Sequence, residues 1–272
     1  MSDSRVRRIA RDLLPPAVVR GLSARSSGGL VFQDGFGSWA DAAAAAGGYD
    51  AQAILDQVRT ATDEVVAGRS AMERDGVLFD RVELRWPVAG PLLWQAAVHH
   101  GSLRVLDFGG SLGSTYRQLS SLTDRLDVRW AIVEQPAFVD AGAGYADGRL
   151  SFHPTIADAV AAVSPTVALL SSVLQYLPDP HAVLADLASS GVEAIVLDRM
   201  PMTDAPADRP AVEHVPPQIY AGSYATWLLS EPLLLATLPG WRVLDRFPGI
   251  EPVGRTTSGV AFDWRGFVLV PE

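Results

Sequence analysis

The feature that most constrains this chain is an alternation, from residue 102 onward, between short apolar runs and stretches of helical character. Strands that alternate with helices form βαβ units, in which helices cover both faces of a mostly parallel sheet. The apolar runs are LRVLDF (103–108), VRWAIVE (128–134), LSF (150–152), TVALLSS (166–172) and EAIVLDR (193–199). Two later runs, WRVLDRF and VAFDWRGFVLV, have no helix between them, so we expect an antiparallel pair that closes the sheet. The predicted fold class is α/β, with a doubly wound, mostly parallel sheet.

The first hundred residues have a different pattern, with helical periodicity and no detectable repeat. Pro87 is suited to begin one of these helices. We expect an N-terminal helical cap over 1–101, which either closes a substrate pocket or forms a homodimer face, and an α/β domain over 102–272. Within that domain, residues 200–222 contain five prolines, which predicts a lid or binding loop.

Composition excludes several classes of protein. The net charge of −9 opposes binding to nucleic-acid backbones, which depends on basic surface. The chain has no cysteine, and all 22 of its basic residues are arginine, so thiolate chemistry, lysine Schiff bases and a Walker-type phosphate lysine are excluded. No stretch reaches the roughly 18 consecutive apolar residues of a membrane helix, and we expect no secretion signal. A cytoplasmic location is therefore predicted.

A glycine-rich turn follows the first strand of the α/β region, in the segment VLDFGGSLG. Its spacing matches neither the dinucleotide fingerprint nor a P-loop. The pattern formed by Asp107, Gly109, Ser111 and Gly113 resembles the first motif of class I S-adenosylmethionine-dependent methyltransferases, and Gly110 lies within it. The resemblance implies that Asp107 serves the ammonium group at the methionine end of the cofactor. We expect Ser111 to lie near the cofactor carboxylate and not to act as a nucleophile.

Further cofactor contacts are predicted at the ends of the following strands. Glu134 ends the second strand, where an acidic side chain can accept both ribose hydroxyls, and Gln135 follows it. An alternative interpretation of Glu134 is a simple charge at a helix N-terminus. His153 follows the third strand, which borders the adenine in this fold. By resemblance to small-molecule methyltransferases, Ser171 and Ser172 form the floor beneath the methionine portion.

Several segments together are similar to a family of uncharacterised methyltransferases, over about residues 30–250. They are GFGSWADA, ERDGVLFD, RVLDFGGSLGSTY, VEQPAFVDAG, LLSSVLQYLPDP, VLDRMP and VPPQIYAGSYATWLLSE. The resemblance implies the seven-stranded, Rossmann-like class I methyltransferase sheet. It also implies a small or sugar-like substrate, because related genes often lie near polysaccharide or natural-product genes. One departure is local: Glu213 and His214 precede VPP where we expect a glutamine, which fits either a tuned pocket or neutral drift.

The acceptor side is predicted from the proline-rich segment and from the turn after the fourth strand. We favour His214 as the general base among the five histidines, because it lies beyond the fifth strand, over the expected methyl position. Arg199 has an alternative interpretation as a structural ion pair with Asp198. The predicted substrate-binding residues are Tyr176, Arg199, Arg209, Tyr220 and Tyr224.

The sequence therefore predicts a methyltransferase that uses S-adenosyl-L-methionine to methylate an oxygen or nitrogen atom of a small molecule, of natural-product or sugar type. A non-catalytic partner or scaffold that keeps the methyltransferase fold is the alternative. No metal site is expected, because no histidine, cysteine or acidic spacing of ligand type occurs. Neither nucleic acid nor a membrane is expected as a partner, whereas a homodimer is compatible with the pattern.

Overall fold

The structure of the protein is a computed structural model, and it describes residues 30–47, 51–215 and 222–272. The helices are α1 (Trp39–Ala45), α2 (Ala51–Val66), α3 (Trp86–Val98), α4 (Ser114–Gln118), α5 (Ser120–Thr123), α6 (Pro136–Gly142), α7 (Ile156–Val163), α8 (Pro180–Ala188) and α9 (Glu231–Ala236). The strands before the glycine turn are β1 (Val31–Gln33), β2 (Met72–Arg74), β3 (Val77–Phe79) and β4 (Ser102–Phe108). The later strands are β5 (Asp127–Val133), β6 (Leu150–His153), β7 (Val167–Ser171), β8 (Ala194–Thr203), β9 (Arg209–Val215), β10 (Gly222–Ser230), β11 (Trp241–Pro248), β12 (Gly254–Arg255) and β13 (Ala261–Pro271).

All the described strands except β2 and β3 belong to one 11-stranded sheet, and seven of them form its centre. Five of them are parallel and lie in the order β6–β5–β4–β7–β8. Beyond β8, strand β13 pairs antiparallel, and β11 pairs antiparallel with β13 in turn. This arrangement confirms both the predicted α/β class and the antiparallel pair that closes the sheet.

Helices cover both faces of this sheet, because the strands are apolar on both sides. On one face Leu106 packs in a cluster with residues of α7, α8 and α9. On the other face Leu103 and Val105 pack with Leu92 of α3. Burial on both faces is typical of parallel sheets and leaves their carboxyl edge as the place where ligands bind.

The same sheet continues from the carboxyl end of β8 through β10, β9 and β1, a part that we call the second β layer. Strand β10 pairs with β8 through Leu229 and Met202, β9 pairs antiparallel with β10, and β1 pairs with β9. The predicted loop over 200–222 is therefore wrong for residues 200–203 and 209–215, which are strand, while residues 216–221 lie outside the described part.

The described residues of segment 1–101 contain strands as well as helices, so the helical cap that the sequence pattern predicts stays a prediction. They include three strands, of which β1 joins the second β layer and β2 and β3 form a hairpin. Helix α3 packs on the central sheet through Val88, Leu92 and Ala96. This segment is thus continuous with the α/β body, and a domain boundary at residue 101 stays a prediction.

Candidate functional site

A cavity lies at the carboxyl ends of β4, β7 and β8. Its lining includes the predicted site residues Asp107, Gly109, Gly110, Ser111, Ser171 and Arg199. It also includes residues from the N-terminal segment, among them Glu73, Asp75 and Arg85. The carboxyl edge of a doubly wound sheet is where ligands bind in this architecture, so this cavity is the candidate site.

Backbone strain is concentrated around the cavity. Six non-glycine residues in the described part of the chain have positive φ, and four of them lie here. Ser111, Arg199 and Asp75 line the cavity at φ angles of 54°, 61° and 54°, and Ser172, at 55°, follows the lining residue Ser171. Such conformations cost energy and persist where the surrounding structure enforces them, which is characteristic of functional sites.

Two glycines of the turn are required by close contacts. A Cβ atom on Gly109 would lie 2.5 Å from Cγ2 of Val173, and φ at this residue is +73°. A Cβ atom on Gly110 would lie 2.5 Å from the Asp107 carboxyl oxygen Oδ2. The backbone of the turn is therefore packed directly against the carboxyl group, where a side chain would occupy the same space. Gly113, at φ +94°, caps α4.

Asp107 is a buried carboxyl group, with 2% of the residue exposed. It accepts a hydrogen bond from Trp130 Nε1 at 3.0 Å, and within the described residues it has no arginine or histidine partner. Burial raises its pKa to about 7, the nearby Glu134 charge raises the pKa further, and the Trp130 hydrogen bond opposes both. A cationic ligand group at this carboxyl would supply the counter-charge that the protein does not.

Glu134 connects the end of β5 to the glycine turn. Its carboxyl group accepts hydrogen bonds from the backbone N–H of Ser111 at 3.2 Å and of Gln135 at 2.8 Å. Burial raises the pKa of Glu134, and these two hydrogen bonds lower it in part. An ionised carboxylate offers about four acceptor positions, so roughly two remain for a ligand. Gln135 itself is an exposed residue that precedes α6.

The other predicted cofactor residues lie at the carboxyl ends of β6 and β7. His153 ends β6, where its backbone C=O accepts from Glu134 N at 3.1 Å and its ring hydrogen-bonds to Ser151 at 2.8 Å. Burial lowers the pKa of His153. The Ser171 hydroxyl donates to Asp198 at 3.1 Å, and the Ser172 hydroxyl accepts from Gln175 at 3.0 Å.

The N-terminal segment supplies four charged residues to the cavity lining that the sequence patterns do not identify: Glu73, Arg74, Asp75 and Arg85. Glu73 of β2 is buried and accepts hydrogen bonds from Ser114 Oγ and, at 3.2 Å, from Gly76 N. Arg85, which precedes α3, forms an ion pair with the buried Asp198. Arg85 lines the cavity, and its Nε atom is buried and has no hydrogen-bond partner among the described residues, which is uncommon for a buried polar group.

The hairpin that carries this segment has a detectable sequence signal. Asp75 and Gly76 lie between β2 and β3, and both have positive φ, at 54° and 73°. An Asp-Gly pair between two short apolar runs is typical of a two-residue hairpin turn. That signal, within MERDGVLF, predicts the hairpin but not its position over the cavity.

The predicted substrate residues lie in different surroundings. The Tyr176 hydroxyl donates to Glu213 at 2.9 Å, and the ring of Tyr224 lies 5.9 Å from that of Tyr176. Arg199 forms ion pairs with Glu251 at 2.5 Å and with Asp75 at 3.3 Å. The alternative pairing of Arg199 with Asp198 is wrong, because Asp198 pairs with Arg85. Arg209 is exposed at the start of β9, and Tyr220 lies outside the described residues.

The structure does not bring His214 to the cavity. Glu213 and His214 are consecutive residues of β9, so their side chains point to opposite faces of the strand. Glu213 faces Tyr176, whereas the His214 ring hydrogen-bonds to the Gln33 side chain of β1 at 3.1 Å. The prediction of His214 as the general base depends on a loop at this position, and the observed strand removes its support.

Within residues 30–47, 51–215 and 222–272, no group of three or more histidine or acidic side chains is arranged to hold a metal ion. The helices of the same ranges are too short or too polar to cross a bilayer.

Comparisons with known proteins give structural similarity alone. No protein-family model and no curated protein matches the chain, so the narrower family resemblance stays a prediction.

Among solved structures, the chain is similar to a 1,6-didemethyltoxoflavin-N1-methyltransferase of Burkholderia thailandensis crystallised with S-adenosylhomocysteine (15% identity, 83% of this chain and 94% of that chain, TM-score 0.43). It is also similar to the magnesium protoporphyrin IX methyltransferase of Synechocystis (14% identity, 82% of this chain and 100% of that chain, TM-score 0.43). A third similar structure is the [4+2]-cyclase SpnF (12% identity, 80% of this chain and 94% of that chain, TM-score 0.47). These identities and TM-scores are too low to support a conclusion about activity. The activity is therefore inferred from the residues of the cavity.

Proposed function

We propose that this protein is an S-adenosylmethionine-dependent methyltransferase that acts on an oxygen or nitrogen atom of a small molecule. The observation that carries the proposal is the charge arrangement of the cavity. Three buried carboxyl groups line it, those of Glu73, Asp107 and Asp198, together with Arg85, which pairs with Asp198 and whose Nε–H has no partner within the described residues. Carboxylates and a guanidinium around one cavity complement the ammonium and carboxylate groups of an amino acid, which the cofactor carries at its methionine end.

The remaining features of the edge fit the other parts of the cofactor. Glu134 retains about two acceptor positions, the number that a ribose diol requires. Gly110 presents backbone without a side chain beside the Asp107 carboxyl, and Gly109 does so beside Val173. When bound, the cofactor supplies a methyl group on a positively charged sulfur.

The protein's own contribution is binding, orientation and exclusion of water. Holding an acceptor atom in line with a methyl group can lower the barrier by roughly 7–11 kcal/mol. On the acceptor side, Arg199 lines the cavity and would provide a charged group for a small polar molecule. The net charge of −9 favours such a substrate over nucleic acid. A natural-product or sugar-type acceptor, a homodimer and a cytoplasmic location stay predictions from the sequence.

Calorimetric titration with S-adenosylhomocysteine tests the proposal. We expect micromolar binding to the full chain, and a loss of tenfold or more in Glu134→Ala, since hydrogen bonds to charged groups contribute about 1.5–3 kcal/mol. Glu193→Ala is the matched control, because Glu193 lies at the surface beside His99.

Arg85→Met should weaken the binding of S-adenosylhomocysteine but not that of 5′-methylthioadenosine, which lacks the amino-acid group. Absence of binding to the unaltered protein would contradict the proposal.

A further inference from the structure

Strand β8 has a bulge where it reaches the cavity. Asp198 and Arg199 of β8 together lie opposite the single residue Gly266 of β13, and the register between the two strands shifts at this point. Consecutive residues of a regular strand face opposite sides of a sheet, yet both of these residues line the cavity. Arg199 has a left-handed φ of 61°, which costs energy in a residue with a long side chain. The bulge therefore brings a second charged residue to the cavity, as bulges beside functional sites commonly do.

The guanidinium group of Arg199 is only partly occupied by partners. Its Nε donates to Glu251 Oε1 at 2.5 Å, and both of these side chains are 16% exposed. Its Nη2 donates to Asp75 Oδ2 at 3.3 Å, a long contact with a side chain that is 71% exposed. Its Nη1 has no hydrogen-bond partner among the described residues. Glu251 therefore fixes the Nε atom, while the edge formed by Nη1 and Nη2 stays available to a ligand.

Asp75 places a carboxylate at this edge from outside the central sheet. It is the first residue of the turn between β2 and β3, and it lines the same cavity as Arg199. Its carboxyl group makes no other hydrogen bond or ion pair with the described residues. An exposed ion pair of this kind contributes little to stability, so it opens at low cost. If the carboxylate of a bound molecule replaced that of Asp75, the charge of Arg199 would remain balanced.

We propose that Arg199 binds a carboxylate group of the methyl acceptor, and that the Asp75 carboxylate occupies this position in the ligand-free protein. This inference rests on the proposed function, and it specifies the substrate as a small molecule that carries a carboxylate in addition to the oxygen or nitrogen atom that is methylated. The planar guanidinium donates two parallel N–H bonds to a carboxylate, which fixes the orientation of the bound molecule as well as its charge. Arg85 serves the cofactor in the proposed function, so the two anionic groups bind separate arginines.

Benzoate and benzamide test this assignment without a known acceptor, because they have nearly the same shape and differ in charge. Each is titrated by calorimetry into the full chain saturated with S-adenosylhomocysteine. In Asp75→Asn the affinity for benzoate should rise by about fivefold, since the competing carboxylate is removed from a weak ion pair, whereas that for benzamide should not change. Asparagine also adopts the left-handed conformation, so the hairpin turn is kept. Asp80→Asn is the matched control and should leave both affinities unchanged, because Asp80 is exposed just after β3 and does not line the cavity.

The outcomes separate the two proposals. Retained S-adenosylhomocysteine binding in Asp75→Asn shows that the variant folds and that the cofactor site is intact. In that variant, an unchanged affinity for benzoate, or an equal gain for benzamide, would overturn the carboxylate site while leaving the proposed function in place. Adding Arg199→Gln to Asp75→Asn should abolish the gain, and a gain that persists would overturn the role of Arg199. If the double variant does not fold, the comparison of Asp75→Asn with Asp80→Asn decides by itself. Failure of the unaltered protein to bind S-adenosylhomocysteine would overturn both proposals.

Discussion

The buried carboxyl of Asp107 should make the ligand-free protein less stable as pH rises. Its pKa is raised from an ordinary 3.8 to about 7, chiefly by burial. Between these two values the folded protein holds a proton that the unfolded chain has already released. Stability falls with pH wherever the folded state binds more protons, so the free energy of unfolding should decline from about pH 4 to pH 7.

The size of this effect follows from the same two pKa values. Each unit of pKa corresponds to about 1.4 kcal/mol, so the full displacement corresponds to about 4 kcal/mol, of which about 3 kcal/mol falls between pH 5 and pH 8. Against a typical total stability of about 5–15 kcal/mol, this is a large share. Glu213, also with a pKa of about 7, acts in the same direction, so the contribution of Asp107 must be isolated by a variant.

The Asp107→Asn variant isolates the contribution of Asp107 to the pH dependence of stability, because the amide cannot ionise and its oxygen can still accept a hydrogen bond from Trp130. We expect the free energy of unfolding of Asp107→Asn, measured by urea denaturation, to rise relative to the unaltered protein by about 3 kcal/mol from pH 5 to pH 8. Asp140→Asn, at an exposed position on α6, is the control and should follow the unaltered protein throughout. Parallel curves for Asp107→Asn and the unaltered protein would refute the reasoning.

Two further predictions concern the glycine turn and a histidine outside the cavity. Gly110→Ala should destabilise the protein by about 1–3 kcal/mol and weaken S-adenosylhomocysteine binding, since the new Cβ would lie 2.5 Å from an Asp107 oxygen. Gly148→Ala, whose Cβ would meet no atom within 4 Å, should leave urea denaturation and calorimetric titration unchanged, and equal effects of the two would contradict this account. The hydrogen bond from His181 to Asp208, at 2.6 Å, raises the pKa of His181, so its stabilisation is complete below about pH 6.5 and is lost as pH rises through the raised pKa. His181→Gln should remove this component of the pH dependence in urea denaturation, and an unaltered pH profile would exclude it.

The central sheet and the cofactor side of the cavity could be predicted because both depend on local sequence. A parallel strand that is buried on both faces is a continuous apolar run, and it ends where polar residues begin. Asp107 and Glu134 each end such a run, and adjacent parallel strands bring their carboxyl ends together at one edge. Gly110 is likewise a local requirement, set by its contact with Asp107, whereas Gly109 is set by a contact with the distant Val173.

The second β layer could not be predicted in the same way, because its pairings join residues far apart in sequence. Phe32 of β1 lies opposite Glu213 of β9, and the stability of β9 comes from this pairing and from β10. The prolines of RPAVEHVPP favour a loop when only local propensity is considered. Once the segment is a strand, its two-residue period decides that Glu213 faces Tyr176 and that His214 faces Gln33 of β1.

Arg199 shows why the acceptor side of the cavity is harder to predict from the sequence than the cofactor side. Its guanidinium is held by Asp75, from the hairpin before α3, and by Glu251, from the segment after β11. These three residues come from distant parts of the chain, so no local motif contains them. Because Arg199 is largely buried, loss of either carboxylate would leave a partly uncompensated charge in the interior, which is costly. The acceptor side is therefore assembled by long-range ion pairs, whereas the cofactor side is assembled by one strand and its turn. A substitution at Asp75 or Glu251 should consequently disturb the acceptor side while the glycine turn and Glu134 keep their geometry.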